Sequence, residues 1–431
     1  MKTHLLVTYW LLWCMMLPVA VAAQDFITIQ GRVIDAANHH PVPAASVQVK
    51  GSSVGIVTNS DGQFILKIPQ ALQNDSVRVS YIGFKTAVVS VESMLEHSPK
   101  NVIRLEPAVY NLNDITVLSG NALSLVQDAF ANTVKNYGKT PIGMTGFYRE
   151  MIKKGNRYIA ISEAVLNILK ASYNNPFAVD QAAIYKGRGI VDHSQIDTLF
   201  MKFQGGITSA LSLDIMKNPF IGGTPLDEIG ADYQFTYGTP EMIDNRLNYV
   251  VDFDQRPETK GDILFRGKIY IDVKTLAVTR VDFNMNVENR PDASSLFILK
   301  KPAGVKVDVV SAHYEVNYKE QNHRWFYNYA SMEVKFKCKW PKHLFSNVFT
   351  VKGELAVTNH TNDVSKIPSQ DRVKWNDIVS DKVANFQNDD FWESYNVIEP
   401  EKPIDQVIQR IAKQLKRIEK KEQKEKNQDN R

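Results

Sequence analysis

Apolar and polar residues alternate one by one along most of this chain, the two-residue period of a half-buried β-strand. The pattern is clearest from Ala44 to Phe84. Val47 and Val49 alternate with Gln48 and Lys50, and Gly51 ends that run. Val54 to Thr58 form the next short strand. Asn59-Ser60-Asp61-Gly62 then predict a tight reversal, because Asn and Asp hydrogen-bond their own backbone and Gly takes positive φ without steric cost. Phe64, Leu66 and Ile68 share one face of the returning strand, with Gln63 and Lys67 on the other. Pro69 stops the ladder, having no N–H to donate. Val77 and Val79 continue the period, and Tyr81-Ile82-Gly83-Phe84 turns the chain again.

The period changes at Asn121. Leu123, Val126, Phe130, Val134 and Tyr137 fall at spacings of three and four, one apolar stripe of a helix over 121–137. Gly138 and Pro141 stop it. From Gly143 to Thr358 the period returns to two, apart from a helical interlude from Ile207 to Lys217 that ends at Asn218-Pro219. Leu247, Tyr249, Val251 and Phe253 share a face; Ile269, Ile271 and Val273 form a second such set, and Val281, Phe283, Met285 and Val287 a third. Further runs follow at Val305 to Val309, Tyr314 to Tyr318, Met332 to Cys338 and Phe349 to Val357. Successive strands joined by short polar turns imply an antiparallel meander. Its apolar face must be covered by curling, by a second sheet or by the helix. Ile404, Ile408, Ile411, Leu415 and Ile418 make a short heptad stripe after Pro403, the start of a C-terminal helix. Beyond Glu419 the residues are mostly charged and predict a solvated tail.

Composition narrows the picture. The 431 residues are 44% hydrophobic and 23% charged, ordinary for globular protein and enough for two or three domains. Lys2, the apolar run Leu5–Leu17 and Val21-Ala22-Ala23 read as a secretory leader over 1–23, which places the protein outside the cytoplasm, in the periplasm or at the outer membrane. Trp13 before Cys14 argues against a lipidation site. After leader removal Cys338 remains, on the alternating apolar face of Met332, Val334 and Phe336, so it reads as a buried, inert thiol. The net charge of +4 is uneven. Arg410 to Arg431 holds nine Lys or Arg against four Asp or Glu, so, with Lys2 set aside, the remaining body is near −2. That is not the footprint of a nucleic-acid binder. The basic tail offers a contact for anionic lipid, although Glu419, Glu422 and Glu425 equally suit a solvated, internally paired helix end.

The stretch from Ile27 to Glu106 resembles the carboxypeptidase regulatory-like domain of Bacteroidota envelope proteins. The matching residues are Gly31-Arg32-Val33, Asp35, Pro41, Pro43, Ala45, Val47, Val49, Gly55, Thr58, Asp61-Gly62, Phe64 and Val79-Ser80-Tyr81-Ile82-Gly83-Phe84. Ala44 departs from the pattern, where the family often has Gly. The resemblance implies a seven-stranded transthyretin-like sandwich and no peptidase activity, since the domain accompanies whatever follows it. Tyr249 to Phe253, Phe265 to Asp272 and Val278 to Asp282 are similar to the curved half-barrels of periplasmic lipoprotein carriers, and Phe391 to Pro400 looks like a recurrent ending of such exported proteins. The expected architecture is therefore mainly β with a few helices. A sandwich over 26–107 is followed by a linker over 108–120 and a helix plus curved antiparallel sheet over 121–390. A terminal segment with a charged amphipathic helix fills 391–431.

Candidate chemistry is sparse. Gly51-Ser52-Ser53-Val54-Gly55 matches the Gly-x-Ser-x-Gly string of a hydrolase elbow, but that motif needs a strand-to-helix turn and here both flanks are strands. The mature histidines are His39, His40, His97, His193, His313, His323, His343 and His360, and none carries the spacing of a zinc site. Asp252, Asp254, Asp272 and Asp282 are placed by the period on a wetted outer face rather than as an acid–base pair. Trp325-Phe326-Tyr327-Asn328-Tyr329 reads as a strand covered on both faces, with a stacking platform for a ligand as the rival reading.

These readings imply no catalytic residue, cofactor or metal. The expected function is non-enzymatic binding or scaffolding in the cell envelope, with an apolar or peptide ligand on the concave face formed by Val251, Phe253, Ile269, Ile271, Val281 and Phe283, provided the helix leaves that face open, and with an unknown envelope protein as the other expected partner. The rival readings are an accessory of an outer-membrane transport or secretion system, and an exported hydrolase or peptidase.

Overall fold

The computed structural model describes residues 26–109, 120–175, 177–192, 202–203, 206–219, 227–259, 261–341, 343–385 and 391–401, together with Ile404, Gln406, Ile408, Gln409 and Lys413. The leader, the linker from 110 to 119 and the tail beyond Lys413, with Leu415 and Ile418 of the heptad stripe, lie outside the described residues, as do His193 and Ile411.

Seven strands build the N-terminal sandwich: β1 (Phe26–Asp35), β2 (Ser46–Val49), β3 (Gly55–Val57), β4 (Gln63–Pro69), β5 (Ser76–Ser80), β6 (Ala87–Ser90) and β7 (Asn101–Leu105). They form a three-stranded sheet, β4-β1-β7, facing a four-stranded one, β3-β2-β5-β6. Val47, Val49, Phe64, Leu66, Ile68, Val77 and Val79 are buried between them, as the alternation requires. The reversal at 59–62 forms as expected. Asn59 Oδ1 accepts from the Asp61 and Gln63 N–H groups at 3.0 and 2.8 Å, and Gly62 takes φ +73°. A Cβ at Gly62 would lie 2.4 Å from the Val33 carbonyl oxygen, so only Gly fits. Helix α1 (Val91–His97) bridges β6 and β7, and Ser90 caps it by accepting from the Ser93 N–H.

The region after the linker opens with two helices, α2 (Ala122–Ala131) and α3 (Thr133–Tyr137), where the spacing predicts one. The break falls at Asn132, whose side chain donates to the Asp128 carbonyl, while Thr133 Oγ1 donates to Phe130 O. Such local side-chain bonds compete with the helical ladder. The buried stripe is accordingly turned toward Ala122, Leu125, Val126, Ala129, Phe130 and Tyr137, leaving Leu123 and Val134 partly exposed.

Strands β8 (Ile142–Lys154), β9 (Arg157–Lys170) and β10 (Gln181–Val191) follow, then the pair β11 (Lys202–Phe203) and helix α4 (Ile207–Ser212). Next come β12 (Tyr233–Tyr237), β13 (Glu241–Ile243), β14 (Arg246–Gln255), β15 (Phe265–Asp272) and β16 (Val278–Met285). The series closes with β17 (Ile298–Lys300), β18 (Lys306–Gln321), β19 (Arg324–Lys339), β20 (Asn347–Thr361) and β21 (Ala384–Asn385). Twelve of these strands join in one sheet, ordered β12-β14-β15-β16-β18-β19-β20-β8-β9-β10-β21 with β13 beside β14. The meander is real from β14 to β20, but β20 then pairs back with β8, the first strand of the region. Adjacent pairs are antiparallel except β10–β21. Unpaired extra residues on β9, β10, β16, β18, β19 and β20 mark bulges, which bend strands and increase twist.

The sheet is covered on both faces. Its inner face packs against α2, α3 and α4 in one large apolar core. Its outer face packs against the sandwich, where Phe147, Val165, Tyr329 and Ala356 belong to the same core as the sandwich strands. Residues 391–401 run along this joint as a strap. Trp392 meets Phe147 edge to face at 5.6 Å. Asn396 imitates a strand partner for β4, accepting from Lys67 N at 2.7 Å and donating to Lys67 O at 3.0 Å. Beneath the strap, Glu163 is held between Arg149 and Arg188, each Nε donating at 2.8 Å, and Arg149 also donates to Ile398 O. On the same outer face Ile404 and Ile408 pack on Met151, Ile161 and Ile190, so the first turn of the C-terminal helix is docked on protein.

Candidate functional site

The inner face is not filled along its whole length. Near the end of the sheet where β19 turns into β20 it leaves a half-open pocket of about 270 Å³. Its floor comes from alternate residues of neighbouring strands: Phe265, Met285, Tyr314, Met332, Val334, Phe336 and Val351. Side chains two apart on a strand point the same way, so each strand gives one row to this floor. α4 and the segment before it form one wall through Gly206, Ser209 and Ser212, and Leu296 and Phe297 form the opposite rim. Leu296 remains 47% exposed, which marks the rim as open to solvent.

The walls are apolar with one acidic group. Glu150 on β8 projects into the pocket, two residues along from Tyr148, whose hydroxyl donates to Glu150 Oε2 at 3.1 Å. Burial pushes the Glu150 carboxyl above its ordinary value, and the Tyr148 hydrogen bond pulls it only partly back. Tyr148 is itself driven well above the usual phenol range, by burial first and the Glu150 charge second. Gly353 on β20 makes room for this pair, since a Cβ there would sit 2.9 Å from the Tyr148 hydroxyl and 2.7 Å from Met332 Cε.

The six side chains expected on the ligand face lie on this same inner face. Val251, Phe253, Ile269, Ile271, Val281 and Phe283 are buried in the core that includes α2, and none of them lines the pocket. Phe283 is the link: it stacks on Tyr314 at 5.1 Å and meets Phe265 edge to face at 5.5 Å, both of them pocket residues. Glu150, Tyr148 and Gly353 were missed by sequence reasoning. The available signal was a Tyr-x-Glu pair on one face of an otherwise apolar strand.

Other candidate chemistry resolves into structure. Ser53 Oγ donates to Asn359 Oδ1 at 2.6 Å and accepts from the His360 backbone N–H at 3.0 Å, so the Gly51–Gly55 loop docks the sandwich on β20. The His360 ring lies 4.5 Å from Phe326, and its pKa is pushed down to about 4 by burial and by Arg324. Asp272 departs from the expected wetted face. It is buried, and Arg246 clamps it with two bonds of 2.7 and 2.8 Å while Thr275 completes the turn. Asp252 lies 3.4 Å from Lys268 and Asp282 lies 3.2 Å from Arg280, at ion-pair range. Trp325, Tyr327 and Tyr329 are buried on both faces of β19, as expected for a covered strand. Cys338 is buried and its thiol pushed up to about 12 by burial. Beside α4, Lys170 is inserted between Asp180 and Asp214, and Asp214 also accepts from the Tyr173 and Tyr318 hydroxyls at 2.7 Å, a fully partnered polar knot. Among the described residues no three His, Cys, Asp or Glu side chains converge as metal ligands would.

Residues 29–117 match the family model of the CarboxypepD_reg-like domain. No curated protein matches the chain. Solved structures similar to it include a DUF1329 family protein from Desulfovibrio piger, at 12% identity and TM-score 0.24 over 55% of this chain and 94% of that one. A putative outer membrane lipoprotein-sorting protein domain from Vibrio parahaemolyticus aligns at 13% identity and TM-score 0.24, covering 58% of this chain and 95% of its own. A LolA superfamily protein from Nitrosomonas europaea aligns at 11% identity and TM-score 0.21, covering 59% and 99%.

Proposed function

We propose that this protein is a non-enzymatic binding protein of the cell envelope that holds one apolar, acyl-chain-like ligand in the inner-face pocket, with the ligand's polar end toward Glu150. The observation that carries this reading is the pocket itself: about 270 Å³ of open space on the apolar side of a twelve-stranded sheet, with one half-buried carboxyl in its wall. That volume is near the low end of small-molecule sites, which run from ~300 to 1,000 Å³ and are mostly apolar with few polar groups. Burial raises the Glu150 carboxyl above its ordinary value, and its oxygens offer a hydrogen-bond acceptor to a head-group hydroxyl in an otherwise apolar wall. A chain longer than the pocket would pass Phe283 and reach Val251, Phe253, Ile269, Ile271 and Val281 by lifting α2 from them.

Organic extraction of the purified protein followed by mass spectrometry tests for a carried acyl species. Titration with the uncharged probe N-phenyl-1-naphthylamine tests the location. Val351→Trp fills the pocket from a half-buried position and is expected to weaken probe binding by at least about tenfold while the melting curve stays intact. Unchanged probe affinity in Val351→Trp overturns the reading.

A further inference from the structure

The pocket opens at one end of the sheet, and that end has an unusual surface. The β19–β20 turn lifts Leu344 and Phe345 into solvent, 87% and 79% exposed. Val348, at the start of β20, and Leu296, on the pocket rim, are also nearly half exposed. Around these apolar side chains six lysines are exposed: Lys300, Lys301, Lys306, Lys335, Lys337 and Lys339. The strand register gathers them. Lys306 lies opposite Lys339, Asp308 opposite Lys337, and Lys337 opposite Val348 on the other side. The β17–β18 loop is held against the β19–β20 turn, since a Cβ on Gly304 would come 2.8 Å from Pro341. The acids on these strand ends are Asp308 and Glu333, and Glu333 lies 3.1 Å from Lys335. The sandwich docks at the other end of β20, through Asn359 and His360, while Leu344 and Phe345 stand exposed at this one.

We propose that the β19–β20 end of the sheet docks on an anionic lipid bilayer, with Leu344 and Phe345 entering the interface and the surrounding lysines meeting acidic head groups. Charge complementarity selects the occupant. Aromatic and aliphatic tips inside a ring of Lys gain from both acyl burial and head-group attraction, and the two contributions add where neither alone holds a protein at a membrane. An acidic protein surface satisfies the lysines but offers no apolar depth for two adjacent side chains on a turn. Docking here turns the pocket mouth toward the bilayer, yet it does not depend on what the pocket carries.

Flotation with vesicles tests this. The full chain is expected to float with phosphatidylcholine vesicles containing about one third phosphatidylglycerol, to stay behind with pure phosphatidylcholine, and to lose binding as salt rises. The paired change Leu344→Glu with Phe345→Glu is expected to lower partitioning by at least about tenfold, and Lys337→Glu with Lys339→Glu by a similar factor. All four side chains are exposed, so circular dichroism and melting should match the parent. A chain truncated after residue 409, which keeps Ile404 and Ile408 and removes the basic tail, should still float. Equal partitioning of the hairpin variants and the parent, equal binding to both vesicles, or binding that disappears only with the basic tail each overturns the proposal. Val351→Trp should float unchanged, which separates this result from the fate of the pocket reading.

Discussion

Ala44 shows how much one backbone angle can hide. Its φ is +54°, left-handed, and its N–H donates to Thr58 O at 3.0 Å. An L-residue pays roughly 1–2 kcal/mol there, while Gly at the same place gives back part of the gain through a floppier unfolded chain. Ala44→Gly is therefore expected to stabilise the protein by about 0.5–1 kcal/mol in urea denaturation; a loss would mean the angle is not left-handed. The sequence pattern pointed to this position through its departure from the family's Gly, but no side-chain periodicity reports φ. Glu150 is the converse case. Its place on an inward row was readable from its spacing to Tyr148, but its half-buried state was not, because the pocket residues around it come from five other strands.

At the scale of the element, alternation tells which residues share a face and not whether that face is wet. Arg149 and Glu163 sit on the outer face of β8 and β9 in rows with Phe147, Met151, Ile161 and Val165, so alternation shows two charges among apolar neighbours and not what neutralises them. In the structure the strap of 391–401 and the sandwich cover that side, and both side chains are fully buried. Glu163 has two guanidinium partners, and Coulomb attraction from Arg149 and Arg188 holds its carboxyl below the ordinary value even though burial, the larger influence taken singly, opposes it. Glu163→Gln removes the carboxylate that both buried guanidinium groups share, and such a loss is expected to cost about 3–5 kcal/mol. Lys85→Ala, in an exposed pair with Glu106 on the sandwich, should change stability by less than ~1 kcal/mol. Chemical denaturation of the two variants side by side decides it. Equal small losses would show that Glu163 is solvated and the strap is not closed over it. Asp272 misleads in the same way, since its neighbours Arg246 and Thr275 are placed around it by the turn and not by strand alternation. The helix break at Asn132 escaped for another reason: a stripe at spacings of three and four runs through Asn without a sign that its side chain bonds the preceding turn.

At the scale of the whole molecule, strand identity and the meander from β14 to β20 were legible, and the closure of β20 onto β8 was not. Pairing β20 with β8 joins residues some two hundred positions apart, and the pocket needs that closure to bring Glu150 beside Gly353. The sandwich was readable because its turns are local and carry Gly, Asn and Asp at the required places. Its attachment was not, because Phe147, Val165, Tyr329 and Ala356 look like ordinary core residues of another domain. They are shared instead, and sharing has a thermodynamic consequence. Two units that share an apolar core across their joint should unfold together, unlike domains joined by a thin or polar interface. The tryptophans make this measurable. Beyond the leader they stand at 325, 340, 375 and 392, all outside the sandwich, and Trp325 belongs to the helix-covered inner face. Phe64 lies deep in the sandwich, and Phe64→Ala is expected to cost about 3–5 kcal/mol. If the molecule unfolds as one body, the whole loss appears in the denaturation midpoint read by tryptophan fluorescence, and calorimetry shows a single transition at a lower temperature. A tryptophan midpoint that stays put while the sandwich melts early would mean that the strap and the shared residues hold the two units in place without coupling their stability.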